Sequence, residues 1–352
     1  MIAMSSRLKS WIGHRLWEGL VHLQRMTYPK SEKRLVMFPW SNLAASSSLE
    51  RAYNLGKCLR AKGWRVIIVP FQLELEQRRR ILRLEKPNIL YIQKGRHQLN
   101  FPKFYDVPRI VFDLDDADFL DPKQKEQIIA CCQGSDLVIC GSKFIQDFCG
   151  QYNGNTHVVW TGMAVQKRDY PLPSQRRRIV AWGTSDSVAY ADEREFLGEV
   201  TIKLREKIDF EFWVYGAKDL QALQPYVNRL AKQNVKVKLF PLLSLEKYHQ
   251  TLESAAVGLH PICESSLFSL GKSFGKLNSY MLRGVPIVVH RKLDYPDFFR
   301  DEENGMLAGD RDEWVEKIYQ LLIDPLLRDK IAAQAKLDFD RQLSVRRSST
   351  ES

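Results

Sequence analysis

The sequence predicts an α/β protein with two doubly wound parallel sheets in tandem. The chain has 352 residues, which at about 150 residues per domain is enough for two domains. Strand-like and helix-like segments alternate along most of its length, a pattern typical of parallel sheets with helical crossovers. The alternation stops once, at residues 163–178, where two prolines and a basic cluster indicate a linker. A hydrophobic content of 44% excludes wholesale disorder.

The first predicted element is an amphipathic helix at residues 7–26. Its apolar stripe consists of Leu8, Ile12, Leu16, Leu20 and Leu23, with Trp11 and Met26 at the edge and Arg7, His14 and Arg25 opposite. Two interpretations stay open. The helix either lies on an anionic membrane surface, with its basic residues near phosphates, or packs on its own domain.

The segments after this helix predict the first sheet. Strands are expected at 34–40, 64–71, 87–93, 107–116, 135–142 and 156–162, and helices at 49–63, 74–86, 121–134 and 143–152. The continuous Val/Ile run of 64–71 is typical of a parallel strand buried on both faces. In such sheets ligands bind at the carboxyl ends of the strands.

The alternation then restarts and predicts the second sheet. Strands are expected at 177–185, 210–216, 235–243, 255–262 and 285–290, and helices at about 191–207, 219–233 and 244–254, from near Gly271–Lys272, and at 311–323 and 326–340. The predicted division is an N-terminal helix (1–33), a first domain (34–163), a linker (164–178), a second domain (179–325), a closing helix (326–342) and a disordered tail (343–352).

Cysteine usage and apolar run lengths bear on the compartment. The six cysteines form no Cys-x-x-Cys motif, which argues against zinc sites and disulfide frameworks and fits a reducing environment. Apolar runs fall short of the roughly 18 to 20 residues of a spanning helix, and the N-terminus lacks a signal-peptide core. We therefore expect a cytoplasmic protein.

The net charge of +11 is concentrated in three segments. Residues 1–34 carry +5, residues 165–178 carry +4 and residues 341–352 carry +2, so the remaining chain is neutral. Nucleic-acid binders more often spread their excess charge over a continuous face with interleaved aromatic residues. This distribution predicts that nucleic acid is not a partner.

Several common catalytic motifs are absent from the sequence. It contains no Gly-x-Gly-x-x-Gly, no Gly-x-x-x-x-Gly-Lys-Ser/Thr and no Gly-x-Ser-x-Gly. Dinucleotide dehydrogenases, P-loop nucleotidases and elbow-type hydrolases are thereby disfavoured. What remains is a two-domain enzyme whose binding residues come from loops and helix N-termini.

The most informative segment is GKSFGKLNSYMLRGVPIVV, residues 271–289. It predicts a helix that begins at glycine and carries Lys272 and Lys276 on one face of its first turns. Cations at a helix N-terminus oppose the macrodipole, so the pair makes sense if an anion binds there. The alternative is two solvated lysines.

A second candidate cluster is FDLDDADFL, residues 112–120. Asp113, Asp115 and Asp116 follow one another at the end of a predicted strand. They can bind Mg²⁺ or cap the next helix, although Asp121 suits that role better. We expect Asp115 or Asp116 to contact or polarise an acceptor hydroxyl.

Residues 271–289 resemble the donor-binding segment of retaining GT-B glycosyltransferases of family 4, the group 1 glycosyltransferases. Other blocks resemble that family in order and spacing: residues 135–163, 177–187, 210–216 and 301–331. The similarity extends from about residue 34 to 340. Many members carry two glutamates eight residues apart where this chain has Gly271 and Ser279. The chain instead matches a subset with a GKxxxK segment.

The resemblance implies a GT-B fold, with two tandem Rossmann-like domains facing a central cleft. It also implies a hexosyltransferase-type reaction that uses a nucleoside-diphosphate sugar as co-substrate, with no metal and no cofactor. The acceptor is expected to be lipid-linked or a surface-polysaccharide intermediate. The helix at 7–26 would then hold the enzyme peripherally on the inner face of the membrane.

The residue patterns and the resemblance together give the expected site residues. The expected catalytic residues are Asp115, Asp116, Lys272 and Lys276. The expected donor-binding residues are Gly183, Thr184, Ser185, Gly216, Glu264, Gly271, Ser273, Phe274, Gly275 and Ser279. The expected acceptor-side residues are Ser46, Ser47, Ser48 and Arg51.

Two other functions stay open. A sugar-nucleotide epimerase of the same fold would need acidic and histidine residues in the cleft, and only His260 and His290 lie near suitable strand ends. A catalytically degenerate scaffold or glycan-binding protein would explain the missing glutamates.

Overall fold

The computed structural model describes residues 6–164, 170–263 and 267–345, with side chains from residue 16 onward. These residues form two compact units. The first contains the described residues up to Ala164 together with Gly271–Ser273 and Val345, and the second contains residues 170–263, 267–270 and Phe274–Ser344. Parts of the predicted linker (165–169) and tail (346–352) lie outside the described residues.

The first unit is built on a six-stranded parallel sheet of order β2-β1-β3-β4-β5-β6. Its strands are β1 (Arg34–Phe38), β2 (Arg65–Ile68), β3 (Ile89–Gln93), β4 (Ile110–Leu114), β5 (Leu137–Cys140) and β6 (Thr156–Val158), and the short β7 (Met163–Ala164) follows. Because all six strands are parallel, their carboxyl ends lie at one edge of the sheet. The strand order reverses between β1 and β3, and ligands of such sheets bind at the carboxyl ends beside this point.

Helices connect these strands in the order that the sequence predicts. They are α1 (Ser6–Thr27), α2 (Ser46–Ser48), a π-helical stretch (Leu49–Asn54), α3 (Leu55–Ala61), α4 (Leu75–Glu85), α5 (Pro122–Gln133) and α6 (Lys143–Cys149). Asp121 caps α5, since its carboxylate accepts from the Lys123 amide at 3.0 Å. The capping prediction is confirmed.

The second unit repeats the architecture with a six-stranded parallel sheet of order β10-β9-β8-β11-β12-β13. Its strands are β8 (Ile179–Trp182), β9 (Glu211–Val214), β10 (Lys236–Leu239), β11 (Val257–His260), β12 (Ile287–His290) and β13 (Met306–Ala308). Strand β13 is not predicted from the sequence. A short strand β14 (Ser344–Val345) ends the described chain.

The helices of the second unit are α7 (Ala191–Lys207), α8 (Leu220–Lys232), α9 (Leu245–Leu252), α10 (Leu267–Leu270), α11 (Gly275–Leu282), α12 (Tyr295–Phe298), α13 (Arg311–Ile323) and α14 (Pro325–Gln342). Helices α7 and α13 have the predicted bounds. The core of this unit packs around the fully buried indole of Trp314.

Helix α1 packs on the first unit through a different face from its apolar stripe. Val21 is buried, and the Gln24 side chain pairs with both backbone groups of Ile68, at 2.9 and 3.0 Å. The stripe points outward: the exposed fractions are 66% for Leu16, 47% for Leu20, 57% for Leu23 and 85% for Met26. The helix therefore packs on its own domain, as the second interpretation expects, but it does so through Val21 and Gln24 and leaves these stripe residues exposed.

Within the described residues, no helix has the length and apolar character needed to cross a membrane.

Candidate active site

A buried ion cluster occupies the carboxyl ends of β3 and β4 in the first unit. Lys94 directly follows β3 in a left-handed conformation (φ 55°) and is 1% exposed. Its Nζ lies 3.0 Å from Asp115 Oδ1 and also contacts Asp116. One ammonium thus joins two of the candidate catalytic carboxylates.

The two aspartates differ in their access to solvent. The Asp115 side chain is 7% exposed, whereas that of Asp116 is 29% exposed. Burial disfavours the charged carboxylate of Asp115, but Lys94 and Arg51 outweigh it and hold the pKa of Asp115 below its ordinary value. A carboxylate stabilised in this way is a weak base. Asp115 therefore positions Lys94, and Asp116 is the carboxylate that a ligand can reach.

Arg96 and Trp40 extend the cluster toward solvent. Arg96 donates to Asp118 at 2.8 Å and to Asp116 at 3.0 Å. Its guanidinium lies 5.1 Å from the centre of the Trp40 ring, and the Lys94 ammonium lies 5.7 Å from it. Trp40 therefore covers both cations with its π face.

The Arg51 side chain is buried in the first unit and bonds interior groups. Its Nε donates to Asp113 at 2.8 Å, and Nη1 donates to the Val159 carbonyl at 2.9 Å and to Thr161 Oγ1 at 3.2 Å. Burial disfavours the charged guanidinium, but Asp113 outweighs it and raises the pKa of Arg51 above its ordinary value. Arg51 fixes the loop after β6, and Asp113 is its counterion.

The three serines of the first strand–helix loop have different surroundings. Ser48 is buried and donates to Gln93 Oε1 at 3.1 Å, while Gln93 Nε2 donates to the Ser47 carbonyl at 2.9 Å. The Ser47 hydroxyl accepts from the Trp40 indole at 3.0 Å. Ser46 is the exposed member of the set.

The segment Gly271–Ser273 packs on the first unit beside the aspartate cluster. A Cβ placed on Gly271 would lie 2.5 Å from the Ala117 Cβ, so this contact requires glycine. Ser273 Oγ accepts from the Thr161 amide at 2.8 Å. Two expected donor-binding residues are thus placed near the cluster. Gly271 lies beside Ala117, the neighbour of Asp116 in sequence, and Ser273 bonds Thr161, which also contacts Arg51.

In the second unit the loops after β8 and β9 touch each other. Gly216 has φ 74°, and a Cβ on it would lie 2.4 Å from the Thr184 carbonyl oxygen and 2.8 Å from the Ser185 carbonyl carbon. The Gly183 amide donates to the Tyr280 hydroxyl at 2.6 Å. The structure therefore brings together four expected donor-binding residues and ties them to α11.

The helix predicted to begin at Gly271–Lys272 begins at Gly275, and the prediction is corrected here. The reason is Phe274, which occupies the N-cap position with its ring fully buried in an aromatic cluster. Lys276 lies in the first turn of α11, whereas Lys272 precedes the helix in the turn after α10. The two half-buried lysines do not share one helix face.

Ser279 faces α9 within the second unit. It is 2% exposed, and its Oγ lies 3.1 Å from His249 Nε2. The other ring nitrogen of His249 lies 3.0 Å from Arg283 Nη2. Burial, aided by the Arg283 charge, lowers the pKa of His249 to about 4. Glu264, the remaining expected donor-binding residue, lies outside the described residues.

The two histidines considered for epimerase chemistry are engaged in packing. His260 Nε2 lies 2.9 Å from the Tyr295 hydroxyl, and His290 Nδ1 accepts from the Ile262 amide at 2.8 Å. Both are buried. These contacts give the epimerase hypothesis no support.

The sequence reasoning missed Lys94, Arg96, Trp40 and Tyr280. Lys94 could have been predicted, because it is the first residue after a predicted strand, where ligand-facing groups concentrate. In the second unit, buried Glu193 accepts a hydrogen bond from Ser269, also without a sequence signal. Across the part of the chain that the structure describes, no group of three or more His, Cys, Asp or Glu is placed to hold a metal ion.

Residues 176–324 match the family model described as glycosyl transferases group 1. This part of the second unit is therefore similar to group 1 glycosyl transferases. The matched residues include the β8 and β9 loops and all of α11. No curated protein sequence matches the chain significantly.

Solved structures of GT-B glycosyltransferases share the fold of nearly nine-tenths of the chain. A sucrose-phosphate synthase from Thermosynechococcus elongatus is 14% identical, with 89% of this chain and 95% of that chain covered and a TM-score of 0.64. The Anabaena protein HepE, in complex with UDP and glucose, is 15% identical, with coverage of 89% and 96% and a TM-score of 0.61. An alpha-glucosyltransferase in complex with UDP-glucose and DNA is 13% identical, with coverage of 88% and 96% and a TM-score of 0.66.

Proposed function

We propose that the protein transfers a sugar from a nucleoside-diphosphate sugar to an acceptor, with retention of anomeric configuration. The observation that carries this proposal is the match of residues 176–324 to group 1 glycosyl transferases, which spans the joined loops at Gly183 and Gly216. Three structures of the same fold are bound to UDP or a UDP-sugar, which supports a nucleotide-sugar donor.

In this proposal the donor diphosphate lies against Lys272, Lys276 and the N-terminus of α11. Gly275 begins that helix, and nothing lies within 4 Å of the position of a Cβ on it, so the first turn has room for a bound group. The leaving diphosphate gains negative charge in the transition state. Two ammonium groups and the backbone amides of the first turn stabilise it, and no metal is required.

Asp116 is proposed as the residue that contacts the acceptor hydroxyl. It is the most accessible carboxylate of the cluster, and Lys94 and Arg96 hold it in place. The acceptor attacks the face from which the diphosphate leaves, and the anomeric carbon passes through an oxocarbenium-like transition state. Asp115 orients Lys94 and does not contact the sugar.

The acceptor is proposed to be lipid-linked or a surface-polysaccharide intermediate, because α1 offers a membrane-binding face. Leu16, Leu20, Leu23 and Met26 form an exposed apolar stripe on a helix whose other side is docked. Residues 1–34 carry a net charge of +5. An apolar stripe with nearby cations binds anionic membrane surfaces.

Vesicle cosedimentation tests the membrane face. The variant Leu20→Ser/Leu23→Ser should bind anionic vesicles several-fold more weakly than the wild type. The matched control, Leu326→Ser/Leu337→Ser, removes two exposed leucines of α14 and should bind normally. Equal binding by all three proteins would remove the membrane proposal.

A transfer assay tests the function itself. The full chain is incubated with UDP-, GDP- and ADP-sugars and a lipid extract, and release of nucleoside diphosphate is followed. We expect release with one donor, a glycosylated lipid whose anomeric configuration by NMR matches the donor, and a loss of 10²- to 10³-fold in the Lys272→Ala/Lys276→Ala variant. An inverted product would contradict the proposed mechanism.

The second candidate, a scaffold or glycan-binding protein without activity, rests on Gly271. The 2.5 Å approach to Ala117 leaves no room for the glutamate that many family members carry there. Tight nucleotide binding without release from any donor would favour this candidate.

A further inference from the structure

A basic cavity lies at the opposite edge of the first sheet from the aspartate cluster. Its volume is about 1090 Å³. Its walls include Arg34, the first residue of β1, and residues 86–88 and 106–108, which precede β3 and β4. The cavity therefore lies at the amino ends of the strands, away from Asp115 and Asp116 at the carboxyl ends.

The charge of the lining is strongly positive. The cationic lining residues are Arg34, Arg79, Arg83, Lys86 and Lys103. Asp106 is the single acidic residue among the lining side chains, so the lining carries a net charge of +4. The rest of the chain between the three basic segments is neutral overall. This cavity is thus a local concentration of positive charge.

Three of the cations come from α4 and the residue that ends it. Arg79 and Arg83 are four residues apart on the helix, a spacing at which like charges repel. Lys86 is the C-cap and has φ 45°, a conformation that favours glycine. An anion in the cavity offsets the repulsion between Arg79 and Arg83 and pairs with Lys86.

Hydrogen bonds to backbone carbonyls fix the orientation of two of the guanidinium groups. Arg34 Nε donates to the Lys86 carbonyl at 2.8 Å, and Arg79 Nε donates to the Phe104 carbonyl at 3.0 Å. Arg79 Nη1 also donates to Glu76 Oε1 at 2.8 Å, so it is chiefly Arg34 whose remaining N–H groups present a planar fork that matches a carboxylate or phosphate. Arg83 and Lys86 are exposed at the rim.

The lining beneath these cations is apolar. Leu82, Pro87 and Tyr105 are buried. The Phe104 ring packs edge-on against Tyr105, with centroids 6.3 Å apart, and Lys103 Nζ lies 5.6 Å from its centre. Tyr105 is buried and Lys103 lies over the half-buried Phe104 ring, which leaves little open ring face for stacking nucleobases, whereas an apolar floor accepts the C–H faces of sugar rings.

We propose that this cavity binds an acidic oligosaccharide, a short glycan whose sugars carry carboxylate or phosphate groups. The volume slightly exceeds that of an ordinary small-molecule pocket of roughly 300 to 1000 Å³, which suits several sugar units. The anionic groups pair with the rim cations and the sugar faces lie on the apolar floor. This site goes beyond the proposed transfer reaction and does not depend on it.

Fluorescence anisotropy with the full-length protein tests the proposal. The probes are a labelled hexagalacturonate, a labelled phosphate-bearing oligomannoside, the neutral maltohexaose and a six-nucleotide single-stranded DNA. The test variant is Arg83→Glu/Lys86→Glu. The matched control is Arg80→Glu/Lys125→Glu, two exposed cations of the same unit outside the lining. Thermal melting confirms that both variants fold.

We expect at least one acidic glycan to bind and maltohexaose and the oligonucleotide to bind at least tenfold more weakly. The test variant should lose at least tenfold in affinity for that glycan, while the control loses less than threefold. Failure of both acidic glycans to bind would overturn the proposal. So would equal or tighter binding of the DNA, equal binding of the neutral glycan, or an equal loss in the two variants.

Discussion

The Tyr280 hydroxyl accepts a hydrogen bond from the Gly183 amide at 2.6 Å and donates to the Ala181 carbonyl at 3.1 Å. Tyr280 lies on α11, and Gly183 is the first residue after β8. One buried side chain therefore sets the position of the β8 loop relative to the helix that begins at Gly275. The two proposed donor-binding elements of the second unit form one framework.

Replacing Tyr280 by Phe should loosen this framework. The change leaves the Gly183 amide without its partner, and a buried donor left unpaired costs about 1 to 3 kcal/mol. We expect lower stability and weaker nucleotide binding, measured by thermal melting and calorimetry. Tyr226→Phe is the matched control, because the Tyr226 hydroxyl is buried without a hydrogen-bond partner among the described residues. A Tyr280→Phe variant that behaves like this control would contradict the role of the hydroxyl.

Replacing Lys94 by Met should strongly destabilise the first unit. The change removes the direct ion-pair partner of the buried Asp115, and removing one partner of a buried ion pair costs about 3 to 5 kcal/mol. Denaturant unfolding gives the measurement. Lys203→Met, which removes one partner of an exposed pair with Asp312, should leave the unfolding curve unchanged. Equal curves for the two variants would show that the cluster is not a stabilising unit.

Gly141→Ala should displace the loop that carries the aspartates. Gly141 follows β5, and a Cβ on it would lie 2.7 Å from the Asp115 Cα, so the backbone has to move. We expect transfer activity to fall by more than the fraction of unfolded protein explains. Gly154→Ala, where nothing lies within 4 Å of the new carbon, should be close to neutral. Full activity in Gly141→Ala would argue against a role for the Asp115 loop.

The stability of the wild type should fall between pH 6.5 and pH 4 because of His249. Its folded pKa is about 4 against an ordinary value of 6.5, so the unfolded chain binds more protons in this window. The stabilisation is complete above pH 6.5 and is lost as the pH falls to 4. The shift corresponds to about 3 kcal/mol at most. His249→Gln should remove this part of the pH dependence in denaturant unfolding, and parallel curves for the two proteins would refute the assignment.

Strand and helix order could be predicted from the sequence because long periodic segments specify it. Helix α7 (Ala191–Lys207) has clear periodicity over 17 residues and the predicted bounds. Strand β13 (Met306–Ala308) escaped prediction because three residues beside a turn carry no period. Periodicity also located the apolar stripe of α1 but not its exposure, which depends on the pairing of Gln24 with Ile68.

The candidate site was only partly predictable. Residue types at strand ends identified Asp115 and Gly183, because parallel sheets direct ligands there. The start of α11 was misplaced, since the burial of Phe274 depends on distant aromatic residues such as Phe298 and Phe299. Lys94 was missed because its pairing partners lie more than 20 residues away in sequence.

The most direct test of the central claim is calorimetric titration of the full chain with UDP, GDP and ADP. We predict that one nucleotide binds and that Lys272→Ala/Lys276→Ala loses this binding. The matched control, Lys232→Ala/Lys247→Ala, removes two exposed lysines of the second unit and should retain it. If the wild type binds none of the three nucleotides, or the lysine pair variant binds as the wild type does, the proposed donor site is wrong.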